Sequence, residues 1–433
     1  CLSDSLEDIN NFTKSYNVWL YKIEQIPPSA HNMKTFVSMY KDMSRKIDLS
    51  KIDLVIAEYI ESLPLLFFMR KHGYNCPAIM IPHTNPYPLN ILIYFLLLKV
   101  LSNQHDIILC GSQNAALAYE SVVKIPAKNV CTFGIKNIYY KKNQSHSRAL
   151  LNLPLTSKVL LYTGRLMNDK GINNLLAVYS DLKKEFHDLQ LVLSVSNIDP
   201  FYYNQIASLF KDVILFYRLE RTKLLDLYNA ADLYISCATS IFETYGKSPL
   251  ESIACGTPVV LPNWDGFRYY VNEQNGLLAK VNYYENPKYS LFQFAEVDKT
   301  SFVKQCATLL KSPIKNVQPL PSWAFYDQNM IVYSKIIDNI IKKSQKSFNI
   351  QDDNHLLGSF EFPECVFDFL SHYGLHSLND LVYKANELEL ISRKLPGDPF
   401  ILKKIHDYIF KKMESIAFVA TSDEETPRIL QQG

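Results

Sequence analysis

No block of clustered lysines and arginines occurs in this chain of 433 residues, whose 45 basic and 43 acidic side chains leave a formal net charge of +2. A nucleic-acid partner is thereby disfavoured, because affinity for a phosphate backbone needs grouped cations. No apolar run reaches the roughly 20 residues of a membrane span. The longest, residues 89–98, is about half that and reads as a buried helix, with Lys99 its one nearby cation; a contact along a membrane surface is its second reading. No secretory leader is visible, and the eight cysteines form no C-x-x-C pair but sit mostly in apolar runs, as reduced core thiols do. A cytoplasmic protein is expected, with peripheral membrane association left open. G-x-G-x-x-G, P-loop and G-x-S-x-G are also missing, so nothing signals a dehydrogenase, an NTPase or an esterase. His372 and His376 have the spacing of a helical metal pair, but Gly374 lies between them and no further ligand constellation accompanies them, so no metal is expected.

What is present is ample for globular cores: 48% of residues are apolar, and the length implies two or three domains. Strand candidates at 16–23, 53–57, 78–82, 106–110 and 129–133 alternate with helix-length segments, the signature of a parallel α/β sheet. The rhythm restarts near residue 157 with strands at 158–163, 189–195, 213–216, 233–237 and 257–261, and a helix at 222–230. The chain opens at Cys1 and runs straight into a helical pattern, where a doubly wound domain would open with a strand. A fragment lacking its first strand and loop is expected; a lipoprotein beginning at its modified cysteine is the alternative.

Two segments carry chemistry. In residues 241–262 two carboxylates, Glu243 and Glu251, bracket a Gly246-Lys247-Ser248-Pro249-Leu250 turn. Ser248, Pro249 and Glu251 read as a helix start with a capping box. A helix N-terminus offers unpaired N–H groups and positive potential to a phosphate, and Gly246 allows close backbone approach. The plainer reading is that Glu251 caps its own helix and Glu243 is a solvated loop acid. Upstream, residues 158–171 form an apolar run followed by Gly164, Arg165, Lys170 and Gly171. Arg supplies a planar donor fork and Lys a compact charge, and together they can neutralise a pyrophosphate. Taken alone, this segment is an ordinary strand-to-helix connection.

Together and in this order, the G-R-x4-K-G and E-x7-E segments resemble the retaining glycosyltransferases of family 4 type with the GT-B fold, the glycosyl transferases group 1. The resemblance extends from residue 16 to about 340, through Leu224–Asp232, the turns at Trp264–Gly266 and Asn275–Leu278, and the closing segment from Ser322. It departs at Arg268 and Tyr269, where the family often has an acid. It implies two Rossmann-like doubly wound domains facing a cleft, at 1–148 and 149–322, with closing helices at 323–347 that return towards the first domain. A helical extension at 348–433 is unfamiliar. There Ile401, Leu402, Ile405, Ile409 and Met413 form an apolar stripe beside Lys403, Lys404, Lys411 and Lys412, a packing face or a membrane or partner contact.

The implied activity is metal-independent transfer of a sugar from a nucleotide diphosphate to an acceptor hydroxyl of a glycan, lipid or small molecule, with retention at the anomeric carbon and no cofactor. Arg165 and Lys170 would stabilise the departing diphosphate. Glu251 would hold the ribose, and Glu243 the donor sugar. Gly164, Lys247, Pro249, Leu250 and the Gly246–Ser248 amides would shape the donor site. His83, following the strand at 78–82, would orient the sugar or stabilise charge at its reacting carbon. Glu58 and Glu61 are candidates for acceptor hydroxyls, or else begin a solvated helix. The alternatives are another GT-B activity, such as a nucleotide-sugar epimerase or phosphorylase, and a non-catalytic scaffold.

Overall fold

In the computed structural model, the described residues are 18, 21, 33–59, 62–85, 102–123, 125–130, 134–240, 242–283 and 295–344. The strand candidate at 16–23, the apolar run at 89–98, Glu61, His372, His376 and the extension at 348–433 lie wholly or almost wholly outside them.

Helix α1 (Met33–Lys46) leads to strand β1 (Val55–Glu58), helix α2 (Leu63–Lys71), β2 (Ala78–Ile81), β3 (Ile107–Cys110), α3 (Gln113–Val123) and β4 (Ala127–Asn129). The four strands form one parallel sheet in the order β1-β2-β3-β4. The strand expected at 129–133 is thus displaced towards the N-terminus, because the pairing residues are Ala127 to Asn129, set against Ile108 to Cys110. Strands β2 and β3 are buried throughout, as parallel strands covered on both faces must be. Arg70 of α2 makes a two-pronged ion pair with Asp106, at 2.7 and 2.6 Å, and both side chains are only 1% exposed. Asp106 also accepts the Ala78 and Asn103 amides, so one carboxylate ties α2 to the edges of β2 and β3.

After helix α4 (Gln144–Leu150) come β5 (Val159–Leu166), α5 (Ile172–Glu185), β6 (Gln190–Ile198), α6 (Pro200–Leu209), β7 (Ile214–Tyr217), α7 (Arg221–Ala230), β8 (Leu233–Ile235), α8 (Lys247–Ala254), β9 (Val259–Pro262) and β10 (Gly276–Ala279). These six strands make a second parallel sheet, ordered β10-β9-β8-β5-β6-β7. Five were expected; the sixth, β10, takes up residues expected as a turn at Asn275–Leu278, because Gly276 to Ala279 pair with Val259 to Pro262 of β9. Alternate side chains serve opposite cores. Leu160 and Tyr162 pack with Leu175 and Tyr179 of α5, while Val159 and Leu161 pack with Tyr228 of α7 and Leu250 of α8. An antiparallel ribbon, β11 (Val281–Tyr283) with β12 (Ala295–Val297), precedes helix α9 (Lys299–Lys311). The last helix, α10 (Tyr326–Ser344), leaves the second sheet and packs on the first, with Tyr333, Ile337 and Ile340 against Ile79, Ile81, Ile107 and Leu109.

The chain therefore crosses between the two halves twice, and the crossings touch. The Ile135 amide donates to Ala324 O at 2.8 Å, and the Tyr326 amide to Ile135 O at 2.9 Å. Gly134 lies so close to this second crossing that a Cβ there would meet the Phe325 backbone at 2.4 Å.

Five cysteines, Cys76, Cys110, Cys237, Cys255 and Cys306, are free and buried. Burial pushes their thiols up, Cys76 to about 11. Among the described residues, no helix is long and apolar enough to cross a membrane.

Candidate active site

In the second sheet β5 leads to β6 and β7 on one side, and β8 to β10 extend on the other. The order reverses between β5 and β8, and open α/β sheets form ligand crevices beyond the carboxyl ends of the strands at such a reversal. Both sequence motifs leave the sheet there. Gly164 lies at a register shift within β5, which runs on to Leu166, so Gly164 and Arg165 belong to the strand and not to the expected turn. A short 3-10 turn, Asn168–Lys170, then brings Lys170 to Gly171, which heads α5.

Four charges form a chain across this point. Arg165 donates to Asp169 at 2.8 Å, and Lys170 Nζ lies 2.7 Å from Glu243 Oε2 and 3.9 Å from Asp169. The Lys170 and Glu243 side chains are 17% and 15% exposed, whereas Arg165 is 46% exposed at the outer end. Glu243 is therefore paired and not a solvated loop acid. The two cations expected to face an anion already hold carboxylates of the chain itself.

Helix α8 begins differently from the sequence expectation. Gly246 occupies the cap position with φ +78 and no side-chain cap, so Ser248 lies inside the first turn and there is no capping box. Glycine is required at 246 on two counts: φ is left-handed, and a Cβ would meet the Phe267 ring at 2.4 Å. Pro249, having no N–H, fits the third helical position, where the donor has no intrahelical partner. The N–H groups of Gly246, Lys247 and Ser248 precede the first intrahelical bond, while Pro249 and Leu250 are buried beneath them.

Released from a capping role, Glu251 accepts from the Tyr228 hydroxyl at 2.7 Å and from Tyr139. Tyr228 has one proton, so its 2.8 Å contact with Thr163 is donated by the threonine. Burial raises the Glu251 carboxyl, against the pull of Tyr228, Tyr139, Lys247 and Arg221.

A cavity of about 190 Å³ opens here, lined by Ile81, His83, Leu109 and Gly111 from the first half and by residues 242–247 from the second. His83 thus lines one wall of the cavity, and Glu243 and Lys247 of the E-x7-E loop line the other. Glu58, a candidate for acceptor hydroxyls, lies 3.1 Å from His83 Nε2.

Asp265, which sequence reasoning passed over as part of a turn, ties the two halves together. It is 5% exposed, has φ +35, and accepts from Asn85 Nδ2 at 2.9 Å and from Ser112, both in the first half. Nearby, Tyr269 donates to Asn114 at 2.9 Å, and Arg268 donates to Tyr283 at 2.7 Å. Burial lifts the Asp265 carboxyl from 3.8 to about 6, against the pull of Ser112, Asn85 and Arg268. A carboxyl raised on folding costs nothing below its unfolded value, and its cost grows until pH exceeds the folded value, reaching on the order of 3 kcal/mol. Asp265→Asn is expected to stabilise the protein by about 1–3 kcal/mol at pH 7.5 and not at pH 4. Urea unfolding at both pH values checks this; an equal gain at each would show that the effect is not ionisation.

Comparisons with known proteins bear on this geometry. Residues 143–289 match the family model described as Glycosyl transferases group 1. The chain is 27% identical over 281 residues to the alpha-monoglucosyldiacylglycerol synthase of Streptococcus pneumoniae, covering 59% of this chain and 61% of that one. It is 32% identical over 139 residues to the D-inositol 3-phosphate glycosyltransferase of Xylanimonas cellulosilytica, covering 30% and 32%. The chain thus spans less than two thirds of either relative. Its fold is that of Anabaena HepE in complex with UDP-glucose, at TM-score 0.54 and 15% identity over 80% of this chain and 89% of that one. It is also that of sucrose-phosphate synthase from Thermosynechococcus elongatus, at TM-score 0.51 and 19% identity over 72% and 76%.

Proposed function

We propose, for a chain with a glycosyl transferases group 1 domain at residues 143–289 in a GT-B fold, that it transfers a sugar from a nucleotide diphosphate to an acceptor hydroxyl, with retention and without a metal. One observation carries this reading. The positive end of α8 has no acidic residue in its first turn and begins with Lys247, an arrangement that disfavours the isolated helix and suits a bound anion. It opens onto the cavity beside the Lys170–Glu243 pair, where the order of the second sheet reverses.

In this proposal the diphosphate meets the Gly246–Ser248 amides and draws Lys170 and Arg165 onto its oxygens. Gly164 shapes the end of β5 beside it. Glu243, freed from Lys170, accepts sugar hydroxyls. Glu251, held by Tyr228, accepts the ribose hydroxyls. His83 contacts the sugar from the opposite wall. As the bond from the anomeric carbon to the diphosphate oxygen breaks, negative charge accumulates where the cations and amides are already arranged, so no large reorganisation is needed. The acceptor oxygen bonds to that carbon on the same face, and its proton passes to the departing phosphate oxygen. The name of the pneumococcal relative makes a lipid acceptor worth testing alongside glycans and small molecules.

Calorimetry against UDP, GDP, ADP and dTDP, with a chelator present, tests the donor site. One nucleotide should bind, and Arg165→Ala and Glu251→Ala should each weaken it about tenfold or more, the scale of a lost charged hydrogen bond. Retention is then read from the anomeric configuration of the product by NMR. A folded chain that binds none of the four would sink the proposal.

A further inference from the structure

The carboxyl ends of β1 and β2 each carry a non-glycine residue in left-handed backbone, Tyr59 at φ 63 and His83 at φ 58. Such a conformation is unfavourable for any residue with a Cβ and persists only where its surroundings enforce it. Here two adjacent parallel strands bend at one level, with the Tyr59 amide donating to Ile81 O at 2.9 Å. The bends bring the Tyr59 and His83 rings together, centroids 4.4 Å apart. They also leave Glu58, paired with Ile81 in the sheet, with Oε1 3.1 Å from His83 Nε2. The two side chains are 18% and 24% exposed. His83 lines the cavity, and Glu58 is not among its lining residues. Tyr333 of α10 is near enough for its hydroxyl to feel the Glu58 charge.

We infer that Glu58 is a positioning residue for His83, fixing the tautomer and plane of its ring before a donor sugar arrives. An ionised carboxylate only accepts, so the facing Nε2 must carry hydrogen. A neutral imidazole then has one defined tautomer, the protonation pattern of one ring nitrogen being set by the partner of the other. Tyr59 restrains the ring from tilting. Glu58 therefore acts through the imidazole, and it is not an acceptor ligand in its own right. The inference rests on reading His83 as a contact to the donor sugar.

The test uses the whole chain with Glu58→Ala, Glu58→Gln, His83→Ala and the Glu58→Ala/His83→Ala double variant. Ring-nitrogen NMR, assigned by the signals lost in His83→Ala, should show the Nε2–H form in the parent and a tautomer mixture in Glu58→Ala. With UDP-glucose as the donor probe, Glu58→Ala should lower kcat about 10- to 100-fold, the scale of a misaligned contact. KM and UDP affinity should stay within threefold. Glu58→Gln keeps an acceptor oxygen and should recover most of the rate. In the His83→Ala background, Glu58→Ala should cost nothing further, since each change removes the same unit. An unchanged tautomer in Glu58→Ala, or an equal loss with and without His83, overturns the inference. If the parent turns over no UDP-glucose and binds no nucleotide, the proposed function fails, while the ring spectrum still decides the pairing.

Discussion

Lys170→Ala is expected to lower donor turnover, read as release of nucleoside diphosphate, by roughly 10²- to 10³-fold, the range for removing one preorganised donor from a site of developing charge. Lys170 is the better buried of the two cations and sits directly against Glu243, whereas Arg165 is nearly half exposed. Its removal does more than delete one positive charge. Asp169 and Glu243 then face the diphosphate with Arg165 as the only remaining cation of the charge chain, so repulsion adds to the lost attraction. The loss should fall mainly on kcat, because charge on the leaving oxygen is greatest in the transition state. Lys170→Arg should keep part of the rate, limited by the change from a point charge to a planar fork. Initial rates at saturating donor, alongside a melting curve to confirm folding, make the check. A loss under about threefold would place Lys170 outside the chemistry, since threefold is only about 0.7 kcal/mol of barrier.

Arg70→Ala carries the second large effect, on stability. It leaves Asp106 buried without its two-pronged partner, and breaking a buried pair from one side typically costs about 3–5 kcal/mol. Part of that loss is softened because the Ala78 and Asn103 amides still donate to the carboxylate. Replacing both partners by apolar residues, Arg70→Met with Asp106→Leu, strands no charge but leaves the Ala78 and Asn103 amides without their acceptor, so it should cost about as much as Arg70→Ala. Urea midpoints for the parent and the two variants measure this. If Arg70→Ala costs under about 1 kcal/mol, the pair is not what secures α2 to β2 and β3.

Most strands of both sheets were legible because buried parallel strands are continuous apolar runs, and β2, β3, β5 and β9 are of that kind. The four-residue β10, read as a turn, and the exposed, displaced β4 were not, being too short or too polar to make such a run. The positions of Arg165, Lys170, Glu243 and Glu251 were legible as motifs, and the reversal between β5 and β8 brings both motifs to one place. The helix start at Gly246 was not. Ser248, Pro249 and Glu251 spell an acceptable cap, but the chain enters the helix at Gly246, in left-handed backbone and against the Phe267 ring, and no local pattern marks that. Asp265 stayed hidden for a different reason: its partner Asn85 lies 180 positions away, and no local pattern encodes a contact between two halves. Likewise Glu58 and His83 meet only through the pairing of β1 with β2. The Glu251–Tyr228–Thr163 relay is spread over α8, α7 and β5, and a tyrosine in an apolar helix face reads as core until its hydroxyl is traced.

The double crossing at Gly134–Ile135 and Ala324–Tyr326 makes one residue answer for both connections. Ile135 donates to Ala324 O and accepts from the Tyr326 amide, so displacing either connection breaks a bond to the other. A side chain at position 134 would meet the Phe325 backbone at 2.4 Å and wedge the two connections apart from inside.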